Sequence, residues 1–202
     1  PEIKIGQTVP FSGAYSVYAN IGKTQAAYMR MINEQGGING RKLKLIVEDS
    51  AYDPKKAVLA AQKLVNQDKI FAMIGQIGTA TNNASMPVQF EKNVINFFPV
   101  TAAREMYEPF HRLKYAYAMP YFEQVRIFLP RLAKEKNLKK ICTIYQDDDF
   151  GLEVLRGAEA GLKTIGVELA EKTTFKRGAT DFSSQVSRLQ GAGCDFVVLG
   201  TI

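Results

Sequence analysis

The chain has 202 residues, 46% of them apolar and 23% charged, with a formal charge of +6, one histidine and two cysteines. At ~100–200 residues per domain this is one large domain or two small ones. The composition excludes a disordered tail, a collagen-like repeat and a disulfide-stapled miniprotein, and no apolar run approaches the ~20 residues that a bilayer-spanning helix needs.

The basic residues are scattered. Their densest groups, Arg41-Lys42-Leu43-Lys44 and Lys134 to Lys140, carry no interleaved aromatics. A solvated basic surface is therefore expected, and nucleic acid is not an expected partner. The chain starts at Pro1 without Met, and residue 3 already opens a strand. That is the expectation for a mature, processed secreted protein.

The elements alternate strand, loop and helix. Ile3 to Val9 predicts a strand, followed by the turn Pro10-Phe11-Ser12-Gly13. From about Tyr18 to Asn33 the apolar residues fall on a helical face, and Gly36-Gly37-Ile38-Asn39-Gly40 ends that helix. Leu43 to Val47 is a second strand. Asp53-Pro54 sets an N-cap and a first-turn proline for a helix to about Asn66.

Ile70 to Ile74 is a short apolar strand of the kind a sheet buried on both faces uses. A Gly/Thr/Asn loop over Gly75–Asn83 leads to a helix ending near Lys92, and Val94 to Phe98 is the next strand. The pattern loosens after Thr101 until Tyr115, and a helix spans about Phe122 to Lys136. A second series follows: strand Lys140–Tyr145, a helix to about Leu162 with Asp149 as its cap, strand Val167–Thr173, helix Thr180–Gln190 with Asp181 in its first turn, and strand Asp195–Leu199.

Alternating β and α elements predict parallel sheets with helices on both faces. The break near residues 115–122 predicts two lobes, a first over 1–118 and a partial second over 119–202. Three strands are fewer than a doubly wound sheet usually holds, so a piece of a longer protein is expected.

Cys142 and Cys194 lie 52 residues apart in apolar strand contexts, with no CxxC and no zinc spacing. Buried free thiols are expected ahead of a disulfide. P-loop, G-x-G-x-x-G and G-x-S-x-G patterns are absent. His111 reads as a surface or hydrogen-bonding residue, and Asp147-Asp148-Asp149 as a capping loop without the alternating ligand spacing of a calcium loop. No enzymatic activity, catalytic residue, metal site or cofactor is expected.

Ligands of open α/β sheets bind outside the carboxyl ends of the strands. This selects the loops Val9–Tyr18, Gly75–Asn82, Pro99–Arg104 and Tyr145–Gly151. Gly78, Thr79, Ala80, Thr81 and Asn82 combine hydroxyls with backbone N–H groups at a helix start, which suits a carboxylate. Thr101, Ala102 and Ala103 are small enough to let a ligand approach the backbone, and Phe11, Tyr15, Tyr18 and Phe150 are candidate apolar walls. The alternative is that Thr79 and Thr81 cap the helix and the aromatics pack locally.

Taken together, several stretches carry a family resemblance. They are Pro10-Phe11-Ser12-Gly13, Gly36-Gly37-Ile38-Asn39-Gly40-Arg41, Glu48 to Pro54, Gly75 with Gly78-Thr79-Ala80-Thr81-Asn82, and Tyr145 to Gly151. In this order and spacing the chain resembles the periplasmic substrate-binding proteins of ABC importers, branched-chain amino acid group, from Ile3 to Leu199.

The resemblance implies a type I periplasmic-binding-protein fold: two doubly wound lobes joined by a hinge, the second incomplete here, closing on a small carboxylate. It implies an extracytoplasmic, periplasmic location after signal-peptide removal and ABC permease subunits as partners. A ligand-sensing domain of a receptor or histidine kinase is the alternative. By motif position the carboxylate falls on Thr79, Ala80, Ala102 and Ala103, with aromatic walls at Tyr18 and Phe150. Ala103 stands where the family often has a hydroxyl, leaving Thr101 or Arg104 as candidate replacements. The family's loop disulfide is absent, since positions 52 and 78 are Tyr and Gly. The acidic residue that receives a ligand ammonium falls beyond residue 202. Amino acids and other carboxylates, aromatic acids included, therefore both remain candidate ligands.

Overall fold

The computed structural model describes residues 2–202. The chain forms two compact units, one up to Tyr117 and the other from Ala118. Both are parallel sheets covered by helices, as the alternating pattern predicts.

The first sheet contains β1 (Ile3–Val9), β2 (Leu43–Asp49), β3 (Ala72–Ile74), β4 (Ile95–Phe97) and β5 (Lys114–Tyr115) in the order β2-β1-β3-β4-β5. Its helices are α1 (Ala19–Glu34), α2 (Pro54–Gln62), extended by a single π turn over Lys63–Gln67, and α3 (Thr79–Glu91). Asp53 caps α2 by accepting from the Lys56 N–H at 2.9 Å, with Pro54 at the first helical position. Ala61, Leu64, Val65, Ile70, Met73 and Val94 form the core beneath α2. Burying a side chain the size of Leu64 contributes about 1.5–3 kcal/mol.

The second sheet is smaller: β6 (Ile141–Gln146), β7 (Glu171–Phe175) and β8 (Phe196–Gly200), ordered β7-β6-β8. Helices α4 (Tyr121–Glu135), α5 (Asp149–Lys163) and α6 (Ser183–Ala192) cover it. Leu129, Ala133, Ile141, Val154, Ala158 and Leu162 are central to its core.

The structure corrects four expectations. First, β7 begins at Glu171, not Val167. Val167 and Leu169 alternate like a strand, but they pack on the α4–α5 core as the chain leaves α5. The Val167 N–H still donates to the Leu162 carbonyl, and sheet pairing starts only with Ala170 N–H to Ile141 O. Second, α3 starts at Thr79, four residues before the end of the expected loop.

Third, Asp148 and not Asp149 caps α5, accepting from the Phe150 and Gly151 N–H groups. Asp181 likewise stands before α6, where its carboxylate accepts from the Ser183 N–H and Oγ. Fourth, Cys142 and Cys194 are joined in a disulfide. The residue after the left-handed cap Gly193 lies beside β6, with Cα atoms 5.9 Å apart, a separation that a disulfide spans. The spacing in sequence gives no sign of this, because it depends on β8 pairing directly with β6.

The loop after β1 is anchored by one carboxylate. Asp49 accepts from the N–H groups of Phe11, Ser12 and Ala51 and from Ser12 Oγ. Partial burial alone would raise its pKa. The hydrogen bonds to the ionised form, Ser12 Oγ first, outweigh that and hold it below the ordinary carboxylate value. A lowered folded pKa adds stability that is present above the unfolded value of about 4 and is lost as pH falls through the folded value. Asp49→Asn is therefore expected to unfold earlier than the wild type at pH 7. The gap should narrow as both are titrated below about pH 4. Denaturation midpoints at pH 7, 4 and 3 check this, and a gap independent of pH would contradict it.

A second prediction concerns the disulfide. It closes a loop with a sequence separation of 52, for which the chain-entropy account gives about 4 kcal/mol. Reducing the protein, or replacing both cysteines by Ser, is expected to destabilise the second unit by about 2–4 kcal/mol. Urea unfolding with and without reductant measures it, and superimposable curves would refute it.

Candidate functional site

In an open parallel sheet the crevice forms where the strand order reverses. In the first sheet β2 and β3 flank β1 on opposite sides, so the reversal lies between β1 and β3. The chain beyond those strands is held tightly. Ile77 N–H donates to Thr8 O at 3.1 Å, Val100 N–H to Gln76 O at 2.8 Å, and Gly78 N–H to Val100 O at 3.2 Å. A parallel bridge pairs Ile77 with Val100. These bonds bring Gly78–Thr81 and Thr101–Ala103 together, at the start of α3.

Gly78 turns the chain into the helix with φ +100°, a conformation that L side chains rarely adopt. A Cβ there would lie 2.5 Å from Tyr52 Cε2. The two positions that carry the family's loop disulfide are thus in contact here, as a tyrosine ring on a glycine. Because its cap is a glycine, α3 has no side-chain cap and no acidic residue in its first turn. The leading N–H groups of a helix have no intrahelical partner, and they carry the positive end of the helix dipole.

A buried network fixes that helix start. Asn82 Nδ2 donates to Gln76 O at 2.9 Å and Gly78 O at 2.6 Å. Gln76 Nε2 donates to Thr81 O at 3.2 Å, Gln89 Nε2 to Gln76 Oε1 at 2.9 Å, and Asn96 Nδ2 to Asn82 Oδ1 at 3.2 Å. Thr81 Oγ1 donates to Ile77 O and Gly78 O, so its hydroxyl supports the turn. What Thr81 offers at the helix start is its backbone.

Thr79 Oγ1 lies 2.6 Å from Thr101 Oγ1, and the Ala103 N–H donates to Thr101 Oγ1 at 3.3 Å. Thr79, Ala80, Thr101, Ala102 and Ala103 are all buried. Tyr18 ends a short 3-10 turn and is the N-cap residue of α1. With Tyr15 it packs on the cluster of Val9, Tyr52 and Ile77, and the Tyr15 and Tyr52 rings are 4.6 Å apart. Phe11 is exposed. Tyr18, Gly78–Thr81 and Thr101–Ala103 thus gather at the carboxyl edge of the sheet.

Phe150 belongs to the second unit. It lies in the first turn of α5, at the carboxyl end of β6, half-buried, with its ring 5.2 Å from Tyr121 in an edge-to-face pair. Gly151 explains the tight entry of α5, since a Cβ there would sit 1.9 Å from the Gln146 carbonyl oxygen. Asp148 also accepts from Gln146 Nε2 at 2.6 Å and pairs with Arg177 Nε at 3.3 Å, its side chain only 6% exposed.

Sequence reasoning passed over Tyr52, Gln76, Asn96 and Arg177. Arg177 had one available signal: it follows a strand end, two residues after the last residue of β7. The buried amides had none: Gln76 falls in the expected loop, and Asn96 is a lone polar residue in the expected strand Val94–Phe98. His111 stacks on Phe90 at 4.2 Å and its Nδ1 accepts from the Leu113 N–H. Among the described residues no group of His, Cys, Asp and Glu is arranged to hold a metal ion, and no helix is long and apolar enough to cross a membrane.

The arrangement presents neutral donors at a helix N-terminus beside aromatic walls, which is chemistry for holding an anion. Known proteins share the sequence and the fold. An amino acid binding protein of Pseudomonas aeruginosa is 28% identical over 202 residues, covering 98% of this chain and 54% of that one. A substrate-binding periplasmic protein from Ralstonia solanacearum shares the fold with a TM-score of 0.92 at 23% identity, over 99% of this chain and 57% of its own. The isoleucine complex of a branched-chain amino acid transporter substrate-binding protein from Streptococcus pneumoniae aligns with a TM-score of 0.80 at 21% identity, over 98% and 57%. The benzoate complex of an ABC transporter solute-binding protein from R. palustris aligns at 0.84 and 19% identity, over 98% and 55%. The chain thus spans about half the length of the relatives it matches. The sequence profile of the periplasmic binding protein family matches residues 2–202, and the chain belongs to that family.

Proposed function

We propose that this chain is part of an extracytoplasmic solute-binding protein that captures a small carboxylate and delivers it to an ABC permease. The observation that carries the reading is the uncapped start of α3 at the strand-order reversal, with the Thr79–Thr101 hydroxyl pair beside it. Backbone N–H groups of Thr79, Ala80 and Ala102 with the Thr79 hydroxyl would receive the carboxylate, while the N–H of Ala103 is taken up by Thr101 Oγ1. Tyr18 would flank the ligand from the same unit, and Phe150 is the aromatic candidate of the second unit. The binding step needs no bond chemistry, only a ligand that favours one conformation of the protein over another.

Two further observations support the reading. The Cys142–Cys194 disulfide suits an oxidising compartment such as the periplasm. The relatives with solved complexes hold isoleucine in one case and benzoate in another. Both are carboxylates with an apolar body, which is the common chemistry this site would select.

Calorimetry of the full-length protein with L-leucine, L-isoleucine and benzoate tests the reading. Thr79→Ala removes a hydrogen bond to a charged group and is expected to weaken the best of the three by roughly 10- to 150-fold. Tyr18→Ala should weaken it by about 5-fold or more through lost aromatic packing. Unchanged affinity in both variants would defeat the site assignment.

A further inference from the structure

We propose that Thr101 is a positioning residue that acts through Thr79, orienting the Thr79 hydroxyl proton toward the ligand. The inference rests on the carboxylate-binding reading above and names how that site is tuned. The observations are three linked groups in a line. The Ala103 N–H donates to Thr101 Oγ1 at 3.3 Å, and Thr101 Oγ1 lies 2.6 Å from Thr79 Oγ1. Thr101 is 3% exposed and Thr79 1% exposed, so both side chains are held in place and their contact is fixed.

Two hydroxyls bring two protons, and one of them occupies the bond between the oxygens. The other has no acceptor among the described residues, whichever way the pair is polarised. If Thr79 were the donor, Thr101 would accept two bonds and hold a buried unmatched proton away from the helix. If Thr101 is the donor, the unmatched proton sits on Thr79, the first residue of α3, among the uncapped N–H groups. There a single carboxylate satisfies the hydroxyl and the helix start together. The N–H of Ala103 favours this polarity, because an oxygen that already accepts one bond is a better donor through its own proton, and each bond in such a chain strengthens the next. The chain runs from Ala103 N–H to Thr101, from Thr101 to Thr79, and from Thr79 to the ligand oxygen. Position 103 therefore serves the site through its backbone, without a side-chain hydroxyl of its own.

A double-mutant cycle separates this from a structural role. The full-length protein is titrated with L-leucine, L-isoleucine and benzoate, and the tightest of the three is carried through Thr101→Val, Thr101→Ala, Thr101→Ser, Thr79→Ala and the double variant Thr79→Ala/Thr101→Val. Circular dichroism melts show which variants fold. Thr101→Val, or Thr101→Ala if the valine does not fold, is expected to weaken binding by about 3- to 10-fold. Thr101→Ser keeps the hydroxyl and should bind within about 2-fold of the wild type. In the Thr79→Ala background, removing the Thr101 hydroxyl should cost less than about 2-fold, because the residue it acts through is gone. An equal loss in both backgrounds, or no loss in the wild type, overturns the inference and leaves the binding reading standing. Wild-type protein that binds none of the three probes overturns the binding reading, and this inference with it.

Discussion

Three strand ends of the first sheet are joined past the sheet itself by main-chain bonds from Ile77 to Thr8, Val100 to Gln76 and Gly78 to Val100. The candidate site depends on this joining. β3 and β4 have only three residues each, too few to aim the loops that follow them. The extra bonds carry the strand geometry two or three residues further. The start of α3 and the Thr101–Ala103 segment are thereby brought within hydrogen-bond distance of each other. Without them two short strands would feed two independent loops, and the Thr79–Thr101 contact would have no fixed length.

The joining would fail if the polar groups behind it were unpaired. Gln76, Thr81, Asn82, Ser85, Gln89 and Asn96 are all buried. Each such group costs free energy in an apolar interior unless it is hydrogen-bonded. Through their amide N–H groups and hydroxyls they bond to one another and to the carbonyls of residues 76, 78 and 81, leaving Gln89 Oε1 and Asn96 Oδ1 as buried oxygens without a partner among the described residues. The result is a rigid polar floor beneath the helix start. The second unit reaches a similar end by different means. There a buried carboxylate, Asp148, caps α5, accepts from Gln146 and pairs with Arg177. One helix start is thus neutralised by a side chain and the other is left open. This difference in capping makes α3, and not α5, the place where an anion gains most.

The strand and helix alternation was legible because each element has a strong local signature. The seven residues of β1 form a short strand-like run ended by a proline turn, and Asp53-Pro54 declares the start of α2. The placing of the first-unit candidates beyond the carboxyl strand ends was legible too, because that rule needs only the element order. Features set by distant pairing were not. The disulfide requires β8 beside β6, and the cysteines on their own read as apolar strand residues. Val167 and Leu169 have the alternation of a strand, yet their partners are helices. Asp148 and Asp149 are chemically equal as caps. Only the backbone, extended at Asp148, selects between them.

The neutrality of the open helix start also bears on what it can distinguish. A donor set made of backbone N–H groups and a hydroxyl would hold a carboxylate and would say nothing about the rest of the ligand. Discrimination between an amino acid and a plain aromatic acid must then come from groups that meet the ligand's other end. The aromatic candidates of the first unit, Tyr18 and Tyr15, pack on the Tyr52 cluster, and neither carries a formal charge that would demand an ammonium. The hydroxyl pair is therefore suited to a class of ligand rather than to one member of it. The same floor of buried amides serves any ligand in that class, because it fixes the donors and touches nothing else.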